Sequence, residues 1–520
     1  MISNIKFYSF SIFLGLLATI VPTVIFAQNI IPRPGVVEKQ EGSFTIKQSS
    51  SINADPAFSN EAKYLAQKIF TYVGVNLPVT HLQNENGQDI ILKKSAANKG
   101  KEAYQLTVNP SSIVIEASDP AGAFYGCVSL LQLLSVDNYG RSGAEISAVR
   151  IIDSPRFKWR GLMLDVSRTF MSVDYVKNTI DRMAFYKLNV LHLHLTDDQG
   201  WRSPIKSYPL LNTKGARFDS SYNEPAQFQG CYSAADIKEL VSYAAARHID
   251  VVPEIESPGH SHAALFAYPE FSCSGKISPV YPYFAGPGIT SDVFCAGNPG
   301  SIRFFQTIIN ETAAMFPSNY FHVGGDEVPR TSWQSCPKCQ QLVKTAKLEG
   351  TQEIQGYFMQ QLHDHVAGIN KRPVAWDEIL HDNKFLTKDW IIMSWTGSKP
   401  GWDAAAKGYD VVMTPTSHMY FDYPYKVTNT NKVFEYEPLE GCGDSSSVSK
   451  HILGIQANFW SHIDRTESKI DYQLFPRALA LAERAWSDIN DRDYEDFKRR
   501  LVNHRKWLNT MHVKYFAGDF

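Results

Sequence analysis

The chain has no block of basic residues, and its formal net charge over 520 residues is -2. It therefore lacks the electrostatic footprint of a nucleic-acid partner. Beyond the first 27 residues, no stretch is long and apolar enough to span a bilayer. No glycine-rich dinucleotide fingerprint follows a strand-like run, and no Walker loop appears. No Gly-x-Ser-x-Gly elbow is present to seat a serine nucleophile. Cysteine is sparse: Cys127, Cys231, Cys273, Cys295, Cys336, Cys339 and Cys442 are the full set. Cys273 with Cys295 would close one loop, and Cys336 with Cys339 is a second candidate pair. The latter is also half of a zinc knuckle, but no matching second pair follows it.

The N-terminus has the form of an export signal. Lys6 precedes an almost wholly apolar run from Phe10 to Phe26, and Ala27 precedes Gln28. Residues 1–27 are expected to be removed, leaving no membrane span. The mature chain is then periplasmic, outer-surface or secreted, in a compartment that permits disulfides.

Residues 28–150 have the texture of a small α+β unit. Ile90–Leu92, Tyr104–Val108 and Ser112–Ala117 are short strand candidates, and Ala121–Leu134 has helical apolar spacing. From about residue 151 the pattern changes to alternating strands and helices that continue to residue 520. The strand candidates are Gly161–Val166, Val190–Leu195, Ile249–Ile255, the stretch opening at Tyr320, Pro373–Trp376, Trp390–Trp395, Asp410–Thr414 and Ile452–Ala457. Helical candidates include Val173–Lys187, Ala234–Arg247, Gly300–Met315, Gln352–Ile369, Trp402–Lys407 and Phe475–Trp486. Eight strands in this alternation predict an α/β fold, a (β/α)8 barrel preceded by the small α+β domain.

In such a barrel the C-terminal strand ends surround one mouth. The central stretch is Tyr320-Phe-His-Val-Gly-Gly-Asp-Glu327: an apolar strand, two glycines for a tight turn, then Asp326 and Glu327. Other strand ends supply Arg168, Asp198, His260, Trp376, Trp395, Tyr420, Asp422 and Trp460. Acids, an arginine and several indoles suit a pyranose, whose ring faces are apolar and whose rim carries hydroxyls. His192, His194, His260 and His262 offer a competing metal reading. The apolar setting of the first pair favours buried, hydrogen-bonded histidines instead.

These motifs resemble glycoside hydrolase family 20, the β-N-acetylhexosaminidases, over about residues 30–510. The similarity rests on Ala121–Gly126 with Leu130–Leu134, Arg160–Arg168, His192–Trp201, Pro253–His260, His322–Glu327, Trp376-Asp377-Glu378, Trp395 and Tyr420-Phe421-Asp422. The resemblance implies an exo-acting enzyme that releases terminal β-linked GlcNAc or GalNAc from an oligosaccharide or glycoconjugate. No ordered metal-ligand spacing accompanies these motifs and no cofactor is expected; the oligomeric state is not fixed by the sequence, with a homodimer as one candidate. The resemblance also implies retention of configuration, with the substrate's own acetamido oxygen attacking to form an oxazolinium.

The roles implied are Glu327 as general acid and then base, Asp326 as the group that orients the acetamide, and Tyr420 on its carbonyl oxygen. Burial is expected to help keep Glu327 protonated. Trp376, Trp395 and Trp460 would line the sugar pocket, Arg168 and Asp422 would hold hydroxyls, and His260 and Asp198 would support the acid. One departure stands out: the family usually has Trp-x-Glu after strand eight, whereas this chain has Trp460-Ser461-His462. His462 would then meet an outer hydroxyl, and the gluco/galacto preference depends on it. A relative with another exo specificity, releasing lacto-N-biose or a sulfated hexosamine, is the alternative. An inactive glycan-binding protein is a further one, disfavoured by the intact Asp326, Glu327 and Tyr420.

Overall fold

A computed structural model describes residues 29–82, 89–96, 100–134, 143–443 and 446–520. The export signal expected at residues 1–27 lies outside them. Among the described residues, no helix is long and apolar enough to cross a membrane.

The first unit is a seven-stranded mixed sheet. Its strands are β1 (Val36–Ile46), β2 (Ile52–Ala54), β3 (Val79–His81), β4 (Ile90–Lys94), β5 (Tyr104–Val108), β6 (Ile113–Ala117) and β7 (Ala144–Asp153). They lie in the order β1-β7-β5-β6-β4-β2-β3. β5 and β6 alternate buried and half-buried residues, so Tyr104, Leu106, Val108, Ile113 and Ile115 face the core. Helix Pro120–Leu133 packs on that face. It starts at Pro120, with the Asp119 carboxylate accepting from the Gly122 N–H. A side chain at Gly126 would meet Ile115 at 2.6 Å, which is why the Ala121–Gly126 motif needs its glycine.

The second unit is a closed, wholly parallel barrel. Its strands are β8 (Trp159–Asp165), β9 (Val190–His194), β12 (Asp250–Glu254), β13 (Tyr320–His322), β14 (Arg372–Trp376), β15 (Ile391–Ser394), β16 (Asp410–Met413) and β17 (Ile452–Phe459). A two-residue ribbon, β10 (Thr196–Asp197) with β11 (Gly200–Trp201), follows β9. All eight strands expected from the sequence are present. Parallel strands are buried on both faces, which explains their near-continuous apolar runs. Trp159, Met163, Val252, Val374, Trp376, Met393 and Val412 cluster in one apolar group with Tyr420 and Trp460 at its mouth.

Helices Val173–Phe185, Ala234–Ala245, Pro299–Met315, Ile354–Gly368, Ser398–Ala406 and Arg477–Trp486 match the helical expectations within a few residues. The sequence reading missed the last long helix, Tyr494–Thr510. Its average hydropathy is low, and only one narrow stripe, with Phe497, Leu501, Trp507 and Leu508, is buried.

The two units are joined through buried charge. Asp153, at the end of β7, receives Lys187 Nζ at 2.9 Å and the Trp486 indole N–H at 2.9 Å. Arg160 of the barrel meets Glu102 of the sheet domain at 3.0 Å. Removing one partner from such a pair strands the other in low dielectric, at a cost of about 3–5 kcal/mol. The sheet domain is thus a fixed support behind the barrel.

Candidate active site

The turn after β13 sets the chemistry. Gly324 and Gly325 have φ of 73° and 104°, conformations that side chains resist. A Cβ on Gly324 would lie 2.0 Å from Glu256 Oε2, so the backbone must come bare to this point. Glu327 itself has φ 46°. The reversal places neighbouring acids in opposite surroundings: Asp326 is 7 % exposed, whereas the Glu327 side chain is 38 % exposed. The expected burial of Glu327 is therefore corrected. Its carboxylate stands at the open mouth, because the left-handed turn sends only Asp326 inward. Gln355 Nε2 donates to the Gly325 carbonyl at 2.8 Å, and the Glu327 N–H donates to Glu378 Oε1 at 3.2 Å.

Behind this turn lies a chain of alternating charge. His260 Nε2 is 3.4 Å from Glu327 Oε2 and 3.6 Å from Asp326 Oδ2. Its Nδ1 is 3.3 Å from Asp197 Oδ1 and 3.5 Å from Asp198 Oδ2. Burial would make the imidazole less basic, but Asp197 and Asp326 outweigh it and hold the His260 pKa well above the usual range. Burial likewise acts to raise Asp197, yet Arg168 and His260 hold it well below the usual carboxylate range. Arg168 reaches Asp197 at 2.8 Å and Asp165 at 3.2 Å.

Asp326 is pushed up by burial, against the pull of His260. Glu256 is pushed up further, by burial and then by Asp326. Asp326 Oδ1 is buried and has no hydrogen-bond partner among the described residues. It is an acceptor aimed at something else.

The walls are aromatic. The Trp395 and Tyr420 rings stack at 6.1 Å, and the Trp460 ring lies 6.1 Å from both Tyr420 and Trp376. Trp376 is anchored to Glu256 Oε1 at 3.3 Å and Trp395 to Glu378 Oε2 at 2.7 Å. Burial and Asp326 hold the Tyr420 hydroxyl well above its normal pKa, so it stays a donor.

Arg168 lies 4.8 Å over the Trp460 ring. Asp422 has a buried, unpartnered Oδ1, and burial pushes its pKa up to about 7. His462 packs on Tyr283 at 4.7 Å, and burial together with Arg168 lowers it to about 4. The structure therefore gathers Asp326, Glu327, Tyr420, Arg168, Trp376, Trp395, Trp460, Asp422, His462, His260 and Asp198 around one mouth. Besides standing 3.5 Å from His260, Asp198 holds a neighbouring loop. Its oxygens accept from His262 N at 3.0 Å and from Thr290 N and Oγ1 at 3.2 and 3.1 Å, so it ties down a loop.

Three acids escaped the sequence reading as site residues: Asp197, Glu256 and Glu378. Each lies in a stretch that stood out, Asp197-Asp198, Pro253-Glu-Ile-Glu256 and Trp376-Asp-Glu378, but spacing alone did not say which acid points inward. Glu378 is pushed up to about 8, chiefly by burial and then by Asp326. His192 and His194 are buried against Glu254, and His322 Nδ1, which accepts from the Gly324 N–H at 3.1 Å, lies 2.7 Å from Glu254 Oε1. His260 lies close enough to Asp197 and Asp198, or to Asp326 and Glu327, to share an ion with them.

A model of glycosyl hydrolase family 20, catalytic domain, matches residues 157–489, and one of the same family's domain 2 matches residues 27–154. The chain belongs to glycosyl hydrolase family 20. It is similar to a beta-hexosaminidase of Porphyromonas gingivalis, 36% identical over 509 residues. That match covers 94% of this chain and 64% of the relative, so the chain spans under two thirds of that protein's length. A beta-hexosaminidase of Akkermansia muciniphila is 33% identical over 424 residues, 78% of this chain and 84% of the relative.

Among solved structures, the family 20 exo-beta-N-acetylglucosaminidase of Vibrio harveyi bound to N-acetylglucosamine superposes with a TM-score of 0.84 at 32% identity. It covers 94% of this chain and 78% of that one. The beta-N-acetylhexosaminidase of Bacteroides fragilis gives 0.82 at 29% identity, covering 94% and 96%. The chain is thus a family 20 glycoside hydrolase, with both the sheet domain and the barrel of that family.

Proposed function

We propose that the chain is an exported, exo-acting β-N-acetylhexosaminidase that removes terminal β-linked GlcNAc or GalNAc with retention. The observation that carries this reading is the unequal pair after β13: Asp326 buried with an unpartnered oxygen, Glu327 beside it at the open mouth. An amide N–H of the substrate would satisfy Asp326 Oδ1, and the Tyr420 hydroxyl would donate to the amide's carbonyl oxygen. Held so, that oxygen attacks the anomeric carbon from within the sugar. Fixing it in place removes an entropic cost that a freely rotating group would bear.

Glu327 gives its proton to the departing glycosidic oxygen and takes one from water when the oxazolinium opens. Ionised Asp326 faces the positive charge that develops on the amide nitrogen. Trp376, Trp395 and Trp460 cover the ring, while Arg168, Asp422 and His462 meet its outer hydroxyls. No cofactor enters any of these steps.

The test is hydrolysis of aryl β-GlcNAc, aryl β-GalNAc and aryl β-glucoside side by side. Cleavage of one or both acetamido sugars, with the glucoside inert, is expected. Equal cleavage of the glucoside, or a covalent glycosyl-enzyme trapped at a side chain, would overturn the mechanism.

A further inference from the structure

The cysteines did not pair as spacing suggested. All seven are free thiols, and four of them, Cys273, Cys295, Cys336 and Cys339, converge. Cys273 Sγ lies 3.8 Å from Cys339 Sγ, and Cys295 Sγ lies 3.7 Å from both Cys336 and Cys339. The missing half of the Cys336–Cys339 knuckle comes from upstream, from Cys273 and Cys295, which the spacing had suggested would pair with each other.

The geometry points to a structural zinc site of four cysteine thiolates. A tetrahedron with zinc–sulfur bonds of about 2.3 Å has edges of about 3.8 Å, the spacing of the Cys273–Cys339, Cys295–Cys336 and Cys295–Cys339 pairs, and all four sulfurs lie within 4.8 Å of one another. Four soft sulfurs with no oxygen or nitrogen ligand among them select zinc over magnesium or calcium. Cys295, Cys336 and Cys339 are buried, while Cys273 is half-exposed beside a cavity of about 390 Å3 lined by Ser272, Asp292, Ser332 and Pro337. That cavity is the entry path.

The backbone is shaped for the site. Gly297 passes so close to the knuckle that a Cβ there would meet Lys338 carbonyl atoms at 2.2 Å. Its backbone also hydrogen-bonds to the Cys295 and Cys339 sulfurs.

The site joins two active-site loops. Cys273 and Cys295 flank a bridge between Ser272 and Phe294 that closes the neck of the long loop after β12. That loop carries Thr290, which holds Asp198, and Tyr283, which packs on His462. Cys336 and Cys339 follow the segment that bears Glu327. Zinc would therefore fix the loop beneath the sugar's outer hydroxyls to the strand that bears the acid, without touching substrate.

Metal analysis of the purified mature chain by mass spectrometry tests the site. One zinc per chain is expected. Cys336→Ser with Cys339→Ser should abolish it, and Cys231→Ser, outside the cluster, should keep it. In case the double variant does not fold, the wild-type chain can be stripped with a chelator and refilled with cobalt. The thiolate-to-cobalt charge-transfer bands and the visible spectrum of a tetrahedral S4 centre are then expected, with a Tm that falls on stripping and recovers with zinc. A metal-free chain would overturn the proposal, whether its four thiols are reduced or intact mass shows them joined in two disulfides. Stoichiometric iron in place of zinc would overturn it as well.

Discussion

His260 Nδ1 lies 3.3 Å from Asp197 Oδ1, and the histidine stands between two pairs of acids, Asp197 with Asp198 and Asp326 with Glu327. Its charged form is favoured in the fold, so its pKa stands above the ordinary 6.5. The unfolded chain gives up that proton first as pH rises. The stability His260 contributes is therefore complete below about 6.5 and is lost as pH climbs through the higher folded value. His194, raised to about 10 because Glu254 and Asp197 outweigh its burial, acts with the same sign.

His260→Asn is expected to lose less melting temperature than the parent chain between pH 6 and pH 9. It should also lower kcat about 10- to 100-fold, less than removal of the proton donor itself, because His260 positions Glu327 without touching the substrate. An unchanged alkaline slope in the variant would remove His260 from this role.

Glu327→Gln and Asp326→Asn separate the two neighbouring acids. Glu327 is exposed, so its amide variant should melt like the parent. It should still cleave poor leaving groups about 100-fold more slowly, or worse. A strongly activated aryl leaving group needs less protonation and should lose less. Asp326→Asn removes the anion that faces the developing charge, and a loss of about 100- to 1000-fold in kcat is expected with the fold intact. Full activity in either variant, measured by steady-state kinetics beside a thermal melt, would cancel the role given to that residue.

How much of this was legible beforehand follows from physics. The eight barrel strands announced themselves because parallel strands buried on both faces are continuous apolar runs. Short mixed-sheet strands such as β2 and β3, at three residues each, leave too little pattern to read. In the site, Asp326 and Glu327 were marked by the glycines before them. Glu256 was not, because it meets Asp326 only across neighbouring strand ends. The cysteine cluster was hidden for the same reason: Cys273 and Cys295 are distant from the knuckle in sequence and adjacent to it only in the fold.

Gly324 joins backbone and chemistry in one residue. Gly324→Ala would place a Cβ 2.0 Å from Glu256 Oε2 at φ 73°. The left-handed conformation alone costs about 1–2 kcal/mol. Relieving the clash would also push Glu256 away from Asp326 and Trp376. A lower Tm and a kcat loss comparable to Asp326→Asn are expected. A variant with wild-type kcat would mean that this close approach is unimportant to catalysis.

His462 supplies a test in acid. Burial, and then Arg168, hold it at about 4, below the ordinary 6.5. Between those values the unfolded chain takes up a proton that the folded chain refuses, so stability rises with pH across the window. The contribution is complete above about 6.5 and is lost as pH falls toward 4; its full size is on the order of 1–3 kcal/mol.

His462→Gln should therefore show a shallower loss of Tm from pH 6.5 to pH 4 than the parent. Above about pH 5.5 the imidazole is neutral in the folded chain, so it meets the sugar as a neutral hydrogen-bonding group rather than as an anion. The KM of parent and variant for aryl GlcNAc should then run parallel from pH 5.5 to pH 7 and diverge only in more acid solution. Divergence confined to neutral pH, or an identical acid slope in the two melts, would show that His462 is not the half-buried neutral base found between Arg168 and Tyr283.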